Sequence, residues 1–323
     1  MASDSKQWTE VAESPEVTEG AEVPEREVPG SAAGAQLRRA AAQSWRVLEF
    51  SSAYLAVIAA VDVLIVMYLL SLPPSVAPLV VGLVTFAVYA NDRLVDLETD
   101  AISNPDRTAF VHQHKEKLYL LAALSYGLAV MFAVLGGPIA FALTLVPGLA
   151  WVVYAVDWLR LPDVEVSRLK QLPVISSVLI AVAWALTVVV LPIAFAGAPL
   201  TPTVGVLFVY FALGAFLSAE VSNIYDMEDD IASGVATLPT MLGIRQTQAF
   251  LSGVALVAAA VPAAAVVADY LSVRAALLLA LGVITVAVAL GVLHRFDRGR
   301  IPTLAAEATH LPVPVAVALL ALI

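Results

Sequence analysis

Nine runs of apolar residues dominate this sequence, near 52–72, 75–91, 118–135, 138–157, 173–196, 204–222, 247–268, 271–293 and 308–323. A bilayer core takes about 20 such residues per helix, so the runs read as membrane spans, the last one interrupted by Pro312 and Pro314. Composition agrees: 60% of the chain is hydrophobic, 14% is charged and the mean hydropathy is +0.89. A soluble domain is nearer half apolar and a quarter charged. The expected fold is an all-α integral membrane protein of about nine transmembrane helices. No cysteine is present, which excludes thiol catalysis, disulfides and thiolate metal sites.

Charge is unevenly placed. Of the net −10, residues 1–33 carry −6, from eight acids against Lys6 and Arg26. This stretch is rich in Pro, Glu, Ser and Ala without an apolar period, so residues 1–45 are expected to form an acidic, disordered cytoplasmic tail ahead of a transmembrane domain over 46–323. No basic segment followed by an apolar core marks it as a signal peptide. A chain this acidic has no generally basic surface, so no nucleic-acid partner is expected; its surroundings are membrane lipids.

Basic residues orient the spans. Arg38, Arg39 and Arg46 precede the first; Arg93, Arg107, Lys115 and Lys117 separate the second from the third. Arg160, Arg168 and Lys170 follow the fourth, Arg245 the sixth, and Arg295, Arg298 and Arg300 the eighth. The connections after spans one, three and five have neither Lys nor Arg, and Arg274 alone breaks the alternation. The positive-inside rule then places the N-terminus and the even-numbered loops in the cytoplasm of a multi-pass cell-membrane protein.

Two of those cytoplasmic segments are strongly acidic. After span two, Asp92, Asp96 and Asp100 stand four apart, followed by Pro105-Asp106-Arg107. On a continuing helix they share one face, drifting by about 40° per step. After span six, Ser222, Asp226 and Asp230 repeat the spacing, with Asn223 and Tyr225 between them and Ser233-Gly234-Val235-Ala236-Thr237-Leu238-Pro239 beyond. Stacked like charges destabilise a bare helix, and a cation relieves them. Mg2+ suits such a place, since it takes one or two carboxylates and completes its shell with water and substrate phosphate. Two acidic faces at the same membrane surface would hold a diphosphate through bridging metal if spans two and six are neighbours.

Asp92-x-x-x-Asp96-x-x-x-Asp100 with Pro105-Asp106-Arg107, and Asp226-x-x-x-Asp230 with Gly234-Val235-x-Thr237-Leu238-Pro239, resemble the UbiA superfamily of intramembrane polyprenyltransferases. The resemblance implies a nine-helix bundle with a central cavity. It also implies a Mg2+-dependent prenyltransferase that moves a polyprenyl group from an allylic diphosphate to a lipophilic acceptor. Quinone precursors, isoprenoid lipids, tetrapyrroles and carotenoids all serve as acceptors in this superfamily. It assigns Asp96, Asp100, Asp226 and Asp230 to metal and diphosphate, and Arg107 and Lys170 to phosphate oxygens. Asp92 joins the expected metal ligands by its four-residue spacing, and Asn223 and Tyr225 of the second segment are expected at the substrate. The usual first motif reads NDxxDxxxD; here Asp92 stands in the Asn slot and Asn91 is one residue early, while Asn223 stands where Asp is usual.

Other polar residues are weaker signals. Asp62 lies inside span one, and a charge there costs at least ~2.5 kcal/mol on insertion scales, so it is expected either to face a cavity and orient an acceptor or act as a base, or to be a protonated or hydrogen-bonded packing residue. His112 and His114 lack a third ligand at a telling spacing and read as ordinary loop residues. Trp151, Tyr154 and Trp158 read as an interfacial belt at the end of span four, with stacking on a prenyl chain as the alternative. Gly136-Gly137-Pro138 reads as a turn between spans three and four. The competing function is a transporter or channel that binds cations at the Asp clusters; it expects ionisable residues in several span centres, and only Asp62 is clearly central. A retinal protein needs a late-helix lysine, and the last lysine is Lys170.

Overall fold

The computed structural model describes residues 29–95, 97, 104–155 and 174–292, and every described regular element is helical. The chain divides into two compact units, Met1–Ser44 and Trp45–Ile323. Helix α1 (Pro29–Phe50) runs through that boundary. Its Ala-, Gln-, Leu- and Arg-rich sequence consists of good helix formers. Residues 1–28 of the expected tail lie outside the described ones.

The second unit is built from hairpins of apolar helices. α2 (Ala53–Leu69) is apolar on all sides and stops before Pro73-Pro74, and α3 (Ala77–Val95) returns against it. Asn104 then precedes α4 (Pro105–Gln113), whose first helical residue is proline, a position where its missing N–H is harmless. α5 (Lys115–Ala133) and α6 (Gly137–Ala155) pack on each other, joined by a 3₁₀ turn at Val134–Gly136. Gly137 has φ +81°, which an L side chain rarely adopts, and so reverses the chain where the Gly-Gly-Pro sequence predicts a turn.

α7 (Ile175–Ala185) widens into a π segment, Leu186–Val190, and resumes as α8 (Leu191–Ala196). Pro192 explains the widening locally: it has no N–H for the carbonyl of Val188. α9 (Pro202–Tyr225) is followed by two short helices, α10 (Met227–Ser233) and α11 (Leu238–Leu242). The long α12 (Ile244–Val267) and α13 (Val273–Val292) complete the described bundle.

Eight of the nine expected spans are helices here; the ninth, 308–323, lies outside the described residues. Six segments are long and apolar enough to cross a membrane, or seven if α1 and α2 count as one broken span. One of the six is the 38-residue Lys115–Val152, which takes in α5, the 3₁₀ turn and most of α6. A bundle of apolar helices defines a multi-pass membrane protein. Val63, Val66, Val80 and Val81 of the first hairpin pack with Val188 and Leu191 near the π segment and with Leu207 and Phe211 of α9. A second cluster joins Leu217 and Val221 of α9 to Leu251 of α12 and Val286 of α13. The buried Tyr210 hydroxyl donates to the Leu279 carbonyl oxygen at 2.6 Å, so α9 is tied to α13 without an unsatisfied phenol.

Candidate active site

Four helix ends meet at a polar cavity of about 190 Å³. The end of α3 contributes Tyr89, Asp92 and Arg93, and the end of α9 contributes Ser222, Asn223 and the following Asp226. The start of α7 contributes Ser176 and Ser177, while α2 contributes Leu55, Ile58 and Asp62. The two acidic sequence segments thus reach one site. Their loops are also joined directly: the Tyr225 hydroxyl donates to the Asn104 Oδ1 at 3.3 Å, linking the end of α9 to the residue before α4.

The start of α7 is suited to an anion. Ser176 and Ser177 lie in its first turn, where backbone N–H groups without helical partners and the positive end of the helix dipole face outward along the axis. Arg93 adds a guanidinium and donates through Nε to the Ser52 Oγ at 3.4 Å. Glu220, fully buried on α9, accepts from the Asn223 Nδ2 at 3.2 Å, and the same amide reaches the Ser177 Oγ at 3.4 Å. That pair of contacts braces α7 against α9 and fixes the amide that lines the cavity.

The structure sorts the expected site residues. Asp62, Asp92, Asn223 and Asp226 share the cavity. Asp96, Asp100 and Lys170 lie outside the described residues. Asp230, Tyr225 and Arg107 are not among the residues lining it. Asp230 follows a bend at Asp226, across which the Asp226 N–H still bonds the Ser222 carbonyl and the Asp230 N–H the Asp226 carbonyl. The Asp230 carboxylate accepts from the Thr237 Oγ1 at 3.1 Å. Arg107 is in the first turn of α4, half-buried. Asn91 donates its amide back to the Ala87 carbonyl at 2.8 Å, whereas Asp92 lines the cavity.

Sequence reasoning missed Ser176, Ser177, Glu220 and the role of Arg93. A pair of serines opening an apolar run at the same membrane face as the acids was the available signal. His114 accounts for itself locally, stacking on Phe110 at 4.4 Å with its Nδ1 2.9 Å from the Phe110 carbonyl oxygen.

A second cavity, about 120 Å³ and mostly apolar, adjoins the first. Val81 and Val88 of α3, Pro147, Ala150 and Trp151 of α6, and Leu179, Ala183 and Val188 of the α7 region line it. Tyr89, Asp92, Ile180 and Trp184 line both cavities. Trp151 lines this cavity; the Tyr154 side chain and Trp158 lie outside the described residues.

Among the described residues, no three Asp, Glu or His side chains form a ready metal cluster. The donor set nonetheless fits a hard cation: carboxylates at Asp92 and Asp226, neutral oxygens nearby, and neither thiol nor imidazole in the lining. Mg2+ needs one or two protein carboxylates when phosphate and water supply the rest.

A carboxylate-bearing cavity opening onto an apolar one, inside a bundle of spanning helices, defines a membrane-embedded enzyme for a substrate with a charged head and an apolar body. The chain belongs to the UbiA prenyltransferase family, which it matches over residues 45–311, and it is a prenyltransferase. Solved structures share the fold. A UbiA homologue from Aeropyrum pernix K1, without ligand, is 17% identical with a TM-score of 0.61, covering 84% of this chain and 98% of that one. A digeranylgeranylglyceryl phosphate synthase is 16% identical with a TM-score of 0.55, covering 84% and 94%. A UbiA homologue from Archaeoglobus fulgidus bound to DMAPP and Mg2+ is 13% identical with a TM-score of 0.57, covering 82% and 96%. No curated protein sequence matches the chain.

Proposed function

We propose that the protein transfers a polyprenyl group from an allylic diphosphate to a lipophilic acceptor, with Mg2+ at the polar cavity. The observation that carries this reading is that Asp92 and Asp226, from two distant acidic segments, line one cavity that adjoins an apolar one. Asp92 and Asp226 would hold the ion, with Asp96, Asp100 and Asp230 in the same two segments. When bound, the ion supplies positive charge that neutralises the departing diphosphate. Arg93 and the first turn of α7 face the same leaving group, and Lys170 and Arg107 are assigned to its outer oxygens. Asn223 positions the head, and Tyr225 keeps the two acidic loops together. The apolar cavity takes the prenyl chain and keeps water from the allylic cation. The binding of DMAPP and Mg2+ by the Archaeoglobus fulgidus homologue supports the same assignment.

Labelled geranylgeranyl diphosphate incubated with the protein in membranes, alongside quinone-precursor, glycerol-phosphate-lipid, tetrapyrrole and carotenoid acceptors, tests it. A labelled lipophilic product that disappears on chelation of divalent ions is expected. Intact diphosphate with every acceptor would overturn the reading.

The topology proposed with it has nine spans, a cytoplasmic tail over 1–45, the transferase domain over 46–323, and both acidic loops cytoplasmic in the cell membrane. Cysteines introduced at Ser103 and Ser233 in this cysteine-free chain should resist an impermeant thiol reagent in sealed cells. Strong labelling from outside would reverse the orientation.

A further inference from the structure

Asp62 follows Ser52, the partner of Arg93, by ten residues, about 15 Å along a helix. Asp92 is next in sequence to Arg93, so Asp62 and Asp92 lie at different depths along the first hairpin. Asp62 is 2% exposed and lines the cavity. Its Oδ2 accepts from the Trp184 Nε1 at 3.3 Å.

Trp184 occupies a particular place. It lines both the polar and the apolar cavity, at their junction. The π segment begins two residues later, and there the Thr187 hydroxyl donates to the Ala183 carbonyl at 2.6 Å. π-Bulges inside α-helices are rare and concentrate at functional sites. Thr187 and Val188 of this segment line the apolar cavity, as does Ala183 just before it. An indole at such a junction needs its ring plane fixed, and a bond from its N–H to a buried carboxylate on a neighbouring helix fixes it.

We infer that Asp62 is a positioning residue that orients Trp184, and that the Trp184 ring is the wall that recognises the prenyl chain where it passes from the polar cavity into the apolar one. The inference rests on the proposed prenyl-diphosphate site and deepens it. The charged head is read at Asp92 and Asp226, and the chain beyond its first isoprene unit is read at Trp184. Asp62 acts on chain recognition through the indole and not on the diphosphate.

The full-length protein in lipid nanodiscs tests this by binding alone, with Mg2+ present. Three probes suffice: inorganic diphosphate, geranyl S-thiolodiphosphate and geranylgeranyl S-thiolodiphosphate. Binding of the prenyl probes by the unmodified protein checks the underlying site, and no binding of any probe would remove that reading itself. Asp62→Leu and Trp184→Phe each remove the N–H to carboxylate bond. Each should lower the preference for geranylgeranyl over geranyl probe by roughly three- to tenfold, the range of one lost hydrogen bond, while inorganic diphosphate binds as before. Asp62→Asn keeps an oxygen that accepts the indole N–H and should recover most of the lost preference. The double variant Asp62→Leu/Trp184→Phe should lose no more than either single one, because the two act as a unit. An equal loss for inorganic diphosphate and both prenyl probes in Asp62→Leu would overturn the inference and return Asp62 to the head group. An unchanged probe preference in Trp184→Phe would overturn it independently, including where Asp62→Leu does not fold.

Discussion

The ends of α3 and α9 carry the same kind of sequence, acids at four-residue spacing, yet they are fastened differently. At the end of α3, Asp92 is still helical, and its neighbour Asn91 is turned back onto the Ala87 carbonyl. At the end of α9 the acid itself sits at a bend, Asp226 standing between α9 and α10 with its N–H still on the Ser222 carbonyl. Beyond it the chain is pinned repeatedly. Tyr225 reaches Asn104, Asp230 accepts from Thr237, and Gly234 ends α10 in the left-handed conformation at φ +70°. Identical spacing therefore does not give identical roles. One acid of each segment, Asp92 and Asp226, reaches the described cavity, while Asp230 spends a carboxylate oxygen on holding the loop.

The largest effect tests the equivalence of the two cavity acids. Asp92→Ala and Asp226→Ala should each lower kcat by about 10²–10³, the range for loss of a transition-state electrostatic contact, with helicity by circular dichroism unchanged. Asp230→Ala should cost less turnover than either and should lower the thermal midpoint instead. Equal kinetic losses at Asp226 and Asp230 would break the distinction drawn at this helix end. Next in size is Lys170→Gln, assigned through the family and not through spacing. Loss of a charge-assisted contact of about 1.5–3 kcal/mol should raise KM for the diphosphate or reduce kcat by roughly 10–100-fold. Kinetics within threefold of the unmodified protein at saturating Mg2+ would leave Lys170 as a residue that merely orients the loop.

The same contrast shows where sequence was legible. Spans were readable because membrane insertion demands long apolar runs, and the turn at Gly137 because Gly-Gly-Pro supports little else. The convergence of the acidic segments was readable because their spacing repeats at one membrane face. Which acid faces inward was not readable. Which acids line the cavity depends on how the two loops meet, through contacts such as Tyr225 with Asn104, 121 residues apart. The Asp62 partner was hidden for the same reason: Trp184 is 122 residues away in the chain. The widened turn before Pro192 was not anticipated, because a proline in an apolar run does not show what its helix will border.

The link between the two loops gives a smaller, sharper test. Tyr225→Phe removes the hydroxyl that meets Asn104 and leaves the ring in place. One hydrogen bond contributes about 0.5–1.5 kcal/mol, so a two- to tenfold rise in the Mg2+ concentration needed for half-maximal turnover is expected. Asn104→Ala should have a similar effect, and combining the two should add little, as for two ends of one contact. Additive losses would show that the loops are aligned by something other than this bond.

The smallest effect concerns stability alone and isolates the structural acid. Thr237 caps α11: its side chain and that of Thr240 form a capping box, with the Thr237 N–H donating to the Thr240 Oγ1 at 2.8 Å. The Thr237 hydroxyl also donates to Asp230, so one side chain serves the cap and the acidic segment together. Thr237→Val keeps the shape and the β-branch but removes both functions. Loss of a cap costs about 0.5–2 kcal/mol, and Asp230, which has other contacts, should absorb part of its lost bond. The expected outcome is a thermal midpoint lowered by a few degrees in nanodiscs, with kcat and KM for the diphosphate close to those of the unmodified protein. Thr237→Ser restores the hydroxyl and should restore most of the midpoint. A kinetic loss in Thr237→Val as large as that of Asp226→Ala, with the midpoint unmoved, would mean that Thr237 holds Asp230 at the diphosphate site and not in the loop. In that case both acids of the α9 segment would belong to the site, and the asymmetry between the two helix ends would disappear.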